Sequence, residues 1–512
     1  MSSLKTDMSR RVSGSKKANK RCFAEEKANI EKKGNNMEEK KTQGGNRTIW
    51  MCLFSIGNAG YEMLFEFFKN FQNFFLTEIC HMSTAFTGTL FSTVNICKAL
   101  FTPVSGMIID RDPFKARDKA SPWIIGMPVF EGLLFATFSF LAWKGANMTA
   151  VIVILSLFHF FPVLLQNGYR AAIPLCASNQ KEANFLTSGS TVMSNAGRVL
   201  AGIIGPLMMV KMSADGVTED AQGFFWAVIA CASISIIFYW ISAVGVRKLV
   251  RADVVAKAAG KEAKKKGMSF IEMIKQIFTD KNLLLLFVIG LGAFFRTFVV
   301  SPSAPYYFKY VAGNMMHFAT FSTATNIAGI LGVLAVPVAF RLIPDSKKTC
   351  MISLGMTVLC HLSLLLVGES TLGFIIAMTL GQFFYQFVSV SLLKMFVDAC
   401  DFVELKQRKA GKVDIATSTA ISLNFTSVMF AQVLGSYVRN YALKLAGYVG
   451  AETVASAALT KGLVSMLALW PAAFLLFGII MFSFYKLDKK TMDGVHAELD
   501  PMRKAAGEKA NG

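Results

Sequence analysis

Acids, histidines and clustered cysteines are what this chain has little of. Its 512 residues carry 33 Asp+Glu against 53 Lys+Arg, and only 5 His. The 9 Cys are scattered, mostly through apolar stretches. None forms Cys-x-x-Cys and no Cys/His group has metal-ligand spacing, so neither a metal site nor a disulfide framework is expected. No glycine-rich phosphate loop and no nucleophile–base arrangement occurs, so neither an enzyme nor a cofactor is expected. A formal net charge of +20 would suggest nucleic acid in a soluble protein. Here the bases gather in the N-terminal tail and in alternate loops. That pattern fits membrane topology and anionic lipid headgroups, with no nucleic-acid partner.

Apolar sequence is abundant: 53% of residues are hydrophobic and 45 are Phe. Hydrocarbon offers the backbone no hydrogen bonds, so apolar runs of roughly 20 residues are read as spanning helices. Twelve such runs are expected, at about 49–77, 84–109, 122–144, 149–173, 186–211, 222–247, 281–309, 316–341, 349–368, 371–399, 413–444 and 461–486. The fold class is therefore an all-α membrane protein with twelve transmembrane helices in two six-helix bundles. The expected organisation is a disordered basic tail (1–48), an N-terminal bundle (49–248), a cytoplasmic linker (249–280), a C-terminal bundle (281–487) and a C-terminal tail (488–512). Lys and Arg cluster in loops on the side of the linker, including Lys181, Arg341, Lys347 and Arg408, while the opposite loops carry Asp215, Glu219 and Asp220. The positive-inside rule places both termini in the cytoplasm of a multi-pass protein of the cell membrane.

Several spans contain charge, which is costly in lipid unless it faces a partner or a wet cavity. These residues are Glu62, Glu66 and Lys69 in the first span, Lys98 in the second, Arg170 in the fourth and Arg296 in the seventh. Glu62, Glu66 and Lys69 share one helical face at i, i+4 and i+7, so either an internal Glu66–Lys69 pair or a cavity-facing triad is open. After the second span comes Gly106-Met-Ile-Ile-Asp110-Arg111. Its glycine allows close helix approach, and Asp110 can pair with bases across the half. In this topological slot the string resembles the gating or charge-relay loop typical of the major facilitator superfamily. The fold, if so, carries a midplane site between two repeats.

Further strings occur in order along the membrane portion. They include Gly57-Asn-Ala-Gly60 ahead of Glu62, Phe75-Leu-Thr77-Glu78, Gly88-Thr89-Leu90-Phe91, Ser121-Pro122-Trp123, Tyr306-Tyr307-Phe308 and Asp398-Ala-Cys-Asp401-Phe402-Val-Glu404. Together they resemble the glycoside–pentoside–hexuronide:cation symporter family, the melibiose-permease type of major facilitator. The resemblance implies alternating access, a sugar-derivative substrate and a coupling ion. It places Glu62 at the family's substrate carboxylate and Gln166 at its sugar-binding aspartate. It puts Arg170 at an aromatic stacking position and Lys98 and Thr102 where two cation-holding carboxylates stand. A fixed ammonium opposes sodium, so coupling to H+ through Glu62 or Glu66, or no coupling, is expected.

The expected substrate-binding set is Glu62, Gln166, Arg170, Arg296 and Tyr306; the expected coupling set is Glu62, Glu66 and Lys98. Lys98 has two open roles, as part of an anion site or as a tethered substitute for sodium paired to Glu62 or Glu66. Cationic groups outnumber acids in this inventory, which favours an anionic ligand. Arg198 and Arg439 are lesser cavity candidates, whereas His159 and His361 read as packed or hydrogen-bonded side chains rather than proton relays. The expected function is secondary transport of a small polar organic solute, either a sugar derivative or an organic anion. The alternative is a transporter-derived sensor or assembly partner that moves nothing.

Overall fold

The computed structural model describes residues 47–110, 114, 120–178, 180–250, 280–410, 418–450 and 453–511. The expected tail before residue 47, Arg111 and its following bases, and linker residues 251–279 lie outside them. For Asp110 the backbone alone is described.

Twelve long helices follow one another, with no strand among the described residues. They are α1 (47–74, continued by a π-turn over Phe75–Ile79), α2 (Thr84–Asp110), α3 (Ser121–Trp143), α4 (Met148–Cys176), α5 (Gln180–Lys211) and α6 (Ala221–Leu249). Then come α7 (Lys281–Tyr310), α8 (His317–Leu342), α9 (Ser346–Val367), α10 (Thr371–Lys409), α11 (Ser418–Leu445) and α12 (Ala457–Phe482). A shorter polar helix, α13 (Lys489–Asn511), follows. Among the described residues, nine of these helices are long and apolar enough to cross a membrane. α1, α2 and α11 run beside them.

Local chemistry starts and interrupts these helices. Asp220, Asp280 and Asp345 each accept from backbone N–H groups at the starts of α6, α7 and α9, satisfying donors the helix itself leaves free. α4 is broken at His159–Phe160, just ahead of Pro162, and α9 at Ser363. α10 continues past its apolar stretch to Lys409, and α13 buries Met492, Val495 and Leu499 beneath it. Arg503 of α13 bonds Asp401 at 2.7 Å and Glu404 at 2.5 Å. Hydropathy could not show this extension, because the added turns are held by charge pairs.

The two sets of six meet along α2–α11 and α5–α8. Two glycines permit this. A Cβ on Gly202 would collide with Ser322 Oγ, and one on Gly88 would stand 2.9 Å from Asn440 Cβ. A seam of polar contacts joins the halves toward the ends that carry the acidic loops. Tyr306 OH accepts from Asn73 Nδ2 at 2.7 Å and lies 2.6 Å from Thr77 Oγ1. Lys309 Nζ lies 2.5 Å from Glu78 Oε2, and Tyr310 OH donates to Glu78 Oε1 at 2.8 Å. Arg439 Nη2 donates to Asn73 Oδ1 at 2.9 Å, and Asn95 Nδ2 to Ser436 Oγ at 3.1 Å. These contacts across the interface hold it in one register, although Asn95 Oδ1 and Arg439 Nε are buried without a partner among the described residues.

Candidate substrate cavity

Below that seam, α1, α5, α7, α8 and α10 enclose a cavity of about 100 Å³. Its charged lining is Glu66, Lys69, Arg198 and Arg296, and its neutral polar lining includes Ser322, Asn326 and Gln382. Two walls of different character face it.

The wall from the N-terminal half neutralises itself. Arg198 grips Glu62 with both arms, Nε to Oε2 and Nη2 to Oε1, each at 2.9 Å. Ser194 Oγ adds a long contact to Glu62 at 3.4 Å. One turn on, Glu66 takes Lys69 Nζ at 2.6 Å and Asn70 Nδ2 at 3.2 Å, with Arg198 Nε at 4.0 Å. Two carboxylates thus meet two cations. Both acids are buried, so an unpaired member would be expensive.

The wall from the C-terminal half carries a cation without an acid. Arg296 is 3% exposed. Its Nε donates to His361 Nε2 at 2.8 Å and its Nη1 to Gln382 Oε1 at 2.9 Å, while the guanidinium carbon stands 4.9 Å from the Tyr385 ring centroid. His361 Nδ1 lies 3.0 Å from the Leu467 carbonyl, which can only accept. The proton is therefore on Nδ1, leaving Nε2 bare to receive the Arg296 N–H. All three partners are neutral. Arg296 Nη2 has no hydrogen-bond partner among the described residues, and Gly381 leaves room beside it: a Cβ there would stand 3.7 Å from Nη2. Counting Glu62 behind Arg198, three cations meet two acids around the cavity, one positive charge in excess.

Of the residues expected at the site, Glu66 and Arg296 line the cavity, and Glu62 joins it through Arg198. The Glu66–Lys69 pair forms, and its members also face the cavity. Lys98 is not paired with Glu62 or Glu66. Arg198 and Lys69 occupy those carboxylates, and the Lys98 ammonium lies 5.6 Å from the Phe65 ring centroid. Arg170 is exposed and sits over Phe425 of α11, 4.9 Å from the ring centroid, outside the cavity lining. Gln166 is half-buried on α4 and likewise does not line it. Tyr306 belongs to the seam, held by Asn73 and Thr77. Among the described residues Gly106 marks no close helix approach, since a Cβ there meets nothing within 4 Å.

Sequence reasoning read His361 as a packed or hydrogen-bonded side chain without linking it to Arg296, and passed over Gln382. The signal for both is a lone polar residue in an otherwise apolar span, and that signal does not tell a packed side chain from one holding a cavity cation.

Comparison with known proteins agrees with this architecture. The family described as MFS/sugar transport protein matches residues 53–489. The isoprimeverose transporter of Lactiplantibacillus pentosus is 24% identical over 454 residues, covering 85% of this chain and 88% of that one. A glucuronide carrier protein homolog of Escherichia coli (strain K12) is 21% identical over 462 residues, covering 88% and 95%. Among solved structures, the nucleoside transporter NupG superposes with a TM-score of 0.57 at 12% identity, covering 86% of this chain and 99% of that one. With helices in two sets of six, a polar cavity between them and a family match over most of its length, the chain belongs to the MFS/sugar transport protein family.

Proposed function

We propose that this protein is a secondary transporter that carries a small, anionic sugar derivative, a uronide or sugar acid, across the membrane by alternating access. One observation carries this reading: Arg296 is buried at the cavity with three neutral partners and no carboxylate, opposite a wall whose charges already cancel. An uncompensated buried cation costs several kcal/mol, which a solute carboxylate would offset through charge-assisted hydrogen bonds. The hydroxyl and amide groups of Ser301, Ser322, Thr325 and Asn326 supply donors and acceptors for sugar hydroxyls. The names of the relatives, isoprimeverose transporter and glucuronide carrier homolog, fit a sugar-derived solute.

Coupling is to protons at Glu62 or Glu66, or is absent. Proton arrival at either acid would release Arg198 or Lys69 into the cavity, a second cation for an anionic solute. Lys98 holds its ammonium in the N-terminal half with no ion-pair partner among the described residues, which disfavours sodium there. Both termini lie in the cytoplasm and the protein resides in the cell membrane, on the strength of the loop charges. Cysteines placed near Arg408 should then be shielded from an impermeant label in intact cells, and cysteines near Asp215 should react.

The deciding experiment is uptake into proteoliposomes of matched neutral glycosides, uronides and other organic anions under imposed proton or sodium gradients. Counterflow of a uronide in preference to its neutral glycoside is the expected result. Counterflow of the neutral glycosides alone would replace the anion reading with a plain sugar one. A chain that exchanges nothing would be a sensor or assembly partner.

A further inference from the structure

Among the described residues, three acids along the interface between the halves are matched: Glu62 by Arg198, Glu66 by Lys69, and Glu78 by Lys309. Arg439 is a cation in the same interface that is not. It lies on α11 in the seam, 2% exposed. Its Nη2 donates to Asn73 Oδ1 at 2.9 Å and its Nη1 makes a long contact to the Phe298 carbonyl at 3.5 Å. Its Nε has no partner, and no carboxylate pairs with it among the described residues. A guanidinium with five donors so poorly supplied, fully desolvated, is costly to keep. In a membrane protein, such a residue is by default part of a pathway.

Two features give it a direction. Asn73 belongs to the N-terminal half, while Phe298 belongs to the same half as Arg439. Alternating access requires the seam to part, and parting removes Asn73 while leaving only the 3.5 Å contact to Phe298. The guanidinium is then left with the Phe298 carbonyl as its acceptor. The second feature is its distance from the cavity. Gly435 lets α11 press on α7, where a Cβ would lie 2.7 Å from Phe298 Cβ. Phe298 is itself two residues from Arg296 along α7. The two acid-free arginines therefore sit on adjacent helices of one half, one in the seam and one at the cavity. Arg439 thus touches, at the Phe298 carbonyl, the helix that carries Arg296.

We propose that Arg439 is an anion-binding residue on the acidic-loop side of the pathway, which receives the solute carboxylate when the seam is open and delivers it to Arg296. The inference rests on the anionic-solute reading. A bound anion would also favour the seam-open state, because only in that state can it reach Arg439.

The test measures glucuronate and methyl-glucoside transport by the full chain in proteoliposomes of defined orientation, from each face separately. Arg439→Gln and Arg439→Lys should raise the KM for glucuronate from the acidic-loop face about tenfold, since Lys keeps the charge but loses the planar fork. From the opposite face the change should stay within about threefold, and methyl-glucoside should be unaffected. Asn73→Ala separates binding from mere sealing. It loosens the same seam, yet leaves Arg439 free for the anion, so it should not raise that KM. If Arg439→Gln and Asn73→Ala act alike, or if the loss is equal from both faces, Arg439 is a seam pin and the proposal is overturned. Should Arg439→Gln fail to fold, an unchanged KM in Arg439→Lys overturns it equally. A wild type that carries methyl-glucoside but no glucuronate defeats the anionic-solute reading and this inference with it. A wild type that carries glucuronate with indifferent variants defeats this inference alone.

Discussion

The two walls of the cavity solve the problem of buried charge in opposite ways. On the N-terminal side each carboxylate has its own cation, with Arg198 gripping Glu62 and Lys69 gripping Glu66. On the C-terminal side Arg296 is held by an imidazole, an amide and an aromatic ring, none of which cancels its charge. The first arrangement fixes helices and offers sites where a proton can act. The second keeps a positive charge available at the cost of an unfilled requirement. The proposed function assigns recognition to the unbalanced wall and coupling to the balanced one.

The sharpest way to break this contrast is to remove the unbalanced charge. Arg296→Gln should lower affinity for an anionic solute by about 1.5–3 kcal/mol, roughly 10- to 150-fold, while membrane expression stays near wild type. Transport kinetics for a uronide, with detergent-solubilised thermal stability as a control, would check it. If the variant does not fold, Arg296 is a packing residue and the contrast is wrong.

The balanced wall should behave differently. Glu62→Gln leaves Arg198 without its bidentate partner. Because the Arg198 side chain is 37% exposed, the cost falls below that of a fully buried pair, at about 1–2 kcal/mol of stability. Replacing both residues, Glu62→Gln with Arg198→Gln, should recover much of that loss. A double variant that is simply the sum of the two singles would show that the pair is not coupled.

A smaller effect is expected at His361, whose fixed tautomer presents a bare Nε2 to Arg296. His361→Leu should weaken uronide affinity about tenfold by releasing the guanidinium, consistent with loss of one charge-assisted hydrogen bond. His361→Gln, which can accept from Arg296 through its amide oxygen, should stay within about threefold. Equal losses in both variants would mean that shape matters at this position and the acceptor does not.

The architecture was legible in the sequence because lipid forces backbone bonds to stay within each helix, so apolar runs mark the elements, although among the described residues α1, α2 and α11 fall short of the hydropathy of the other nine. Expected and observed helix ends agree closely at α2 and α8. They part at α10, where Asp401 and Glu404 carry the helix beyond its apolar stretch. The cavity was legible only in its isolated charges. Glu62, Glu66 and Arg296 stand out as charge inside apolar runs, but which cation meets which acid depends on how each helix is rotated, and no single sequence encodes that simply. Of the two roles open to Lys98, pairing with Glu62 or Glu66 is not found, and Arg198 holds Glu62 instead. Tyr306 and Arg170 carry suitable chemistry and sit away from the cavity lining, one in the seam and one over Phe425.

The smallest effect expected is none. Uptake in sodium-free buffer should equal uptake with sodium, since Lys98 places an ammonium in the second span and Glu62 and Glu66 are already occupied by cations. A strict sodium requirement, measured as a loss of uptake on replacing sodium with choline, would move the coupling ion onto those two acids.

The claim at the centre is that the cavity prefers an anion because Arg296 has no acid of its own. Calorimetric titration of the purified protein with methyl-glucuronide and with methyl-glucoside compares solutes that differ chiefly by one carboxylate. The account predicts that the glucuronide binds at least about tenfold more tightly and that raising salt narrows the gap. Equal or tighter binding of the glucoside would contradict it.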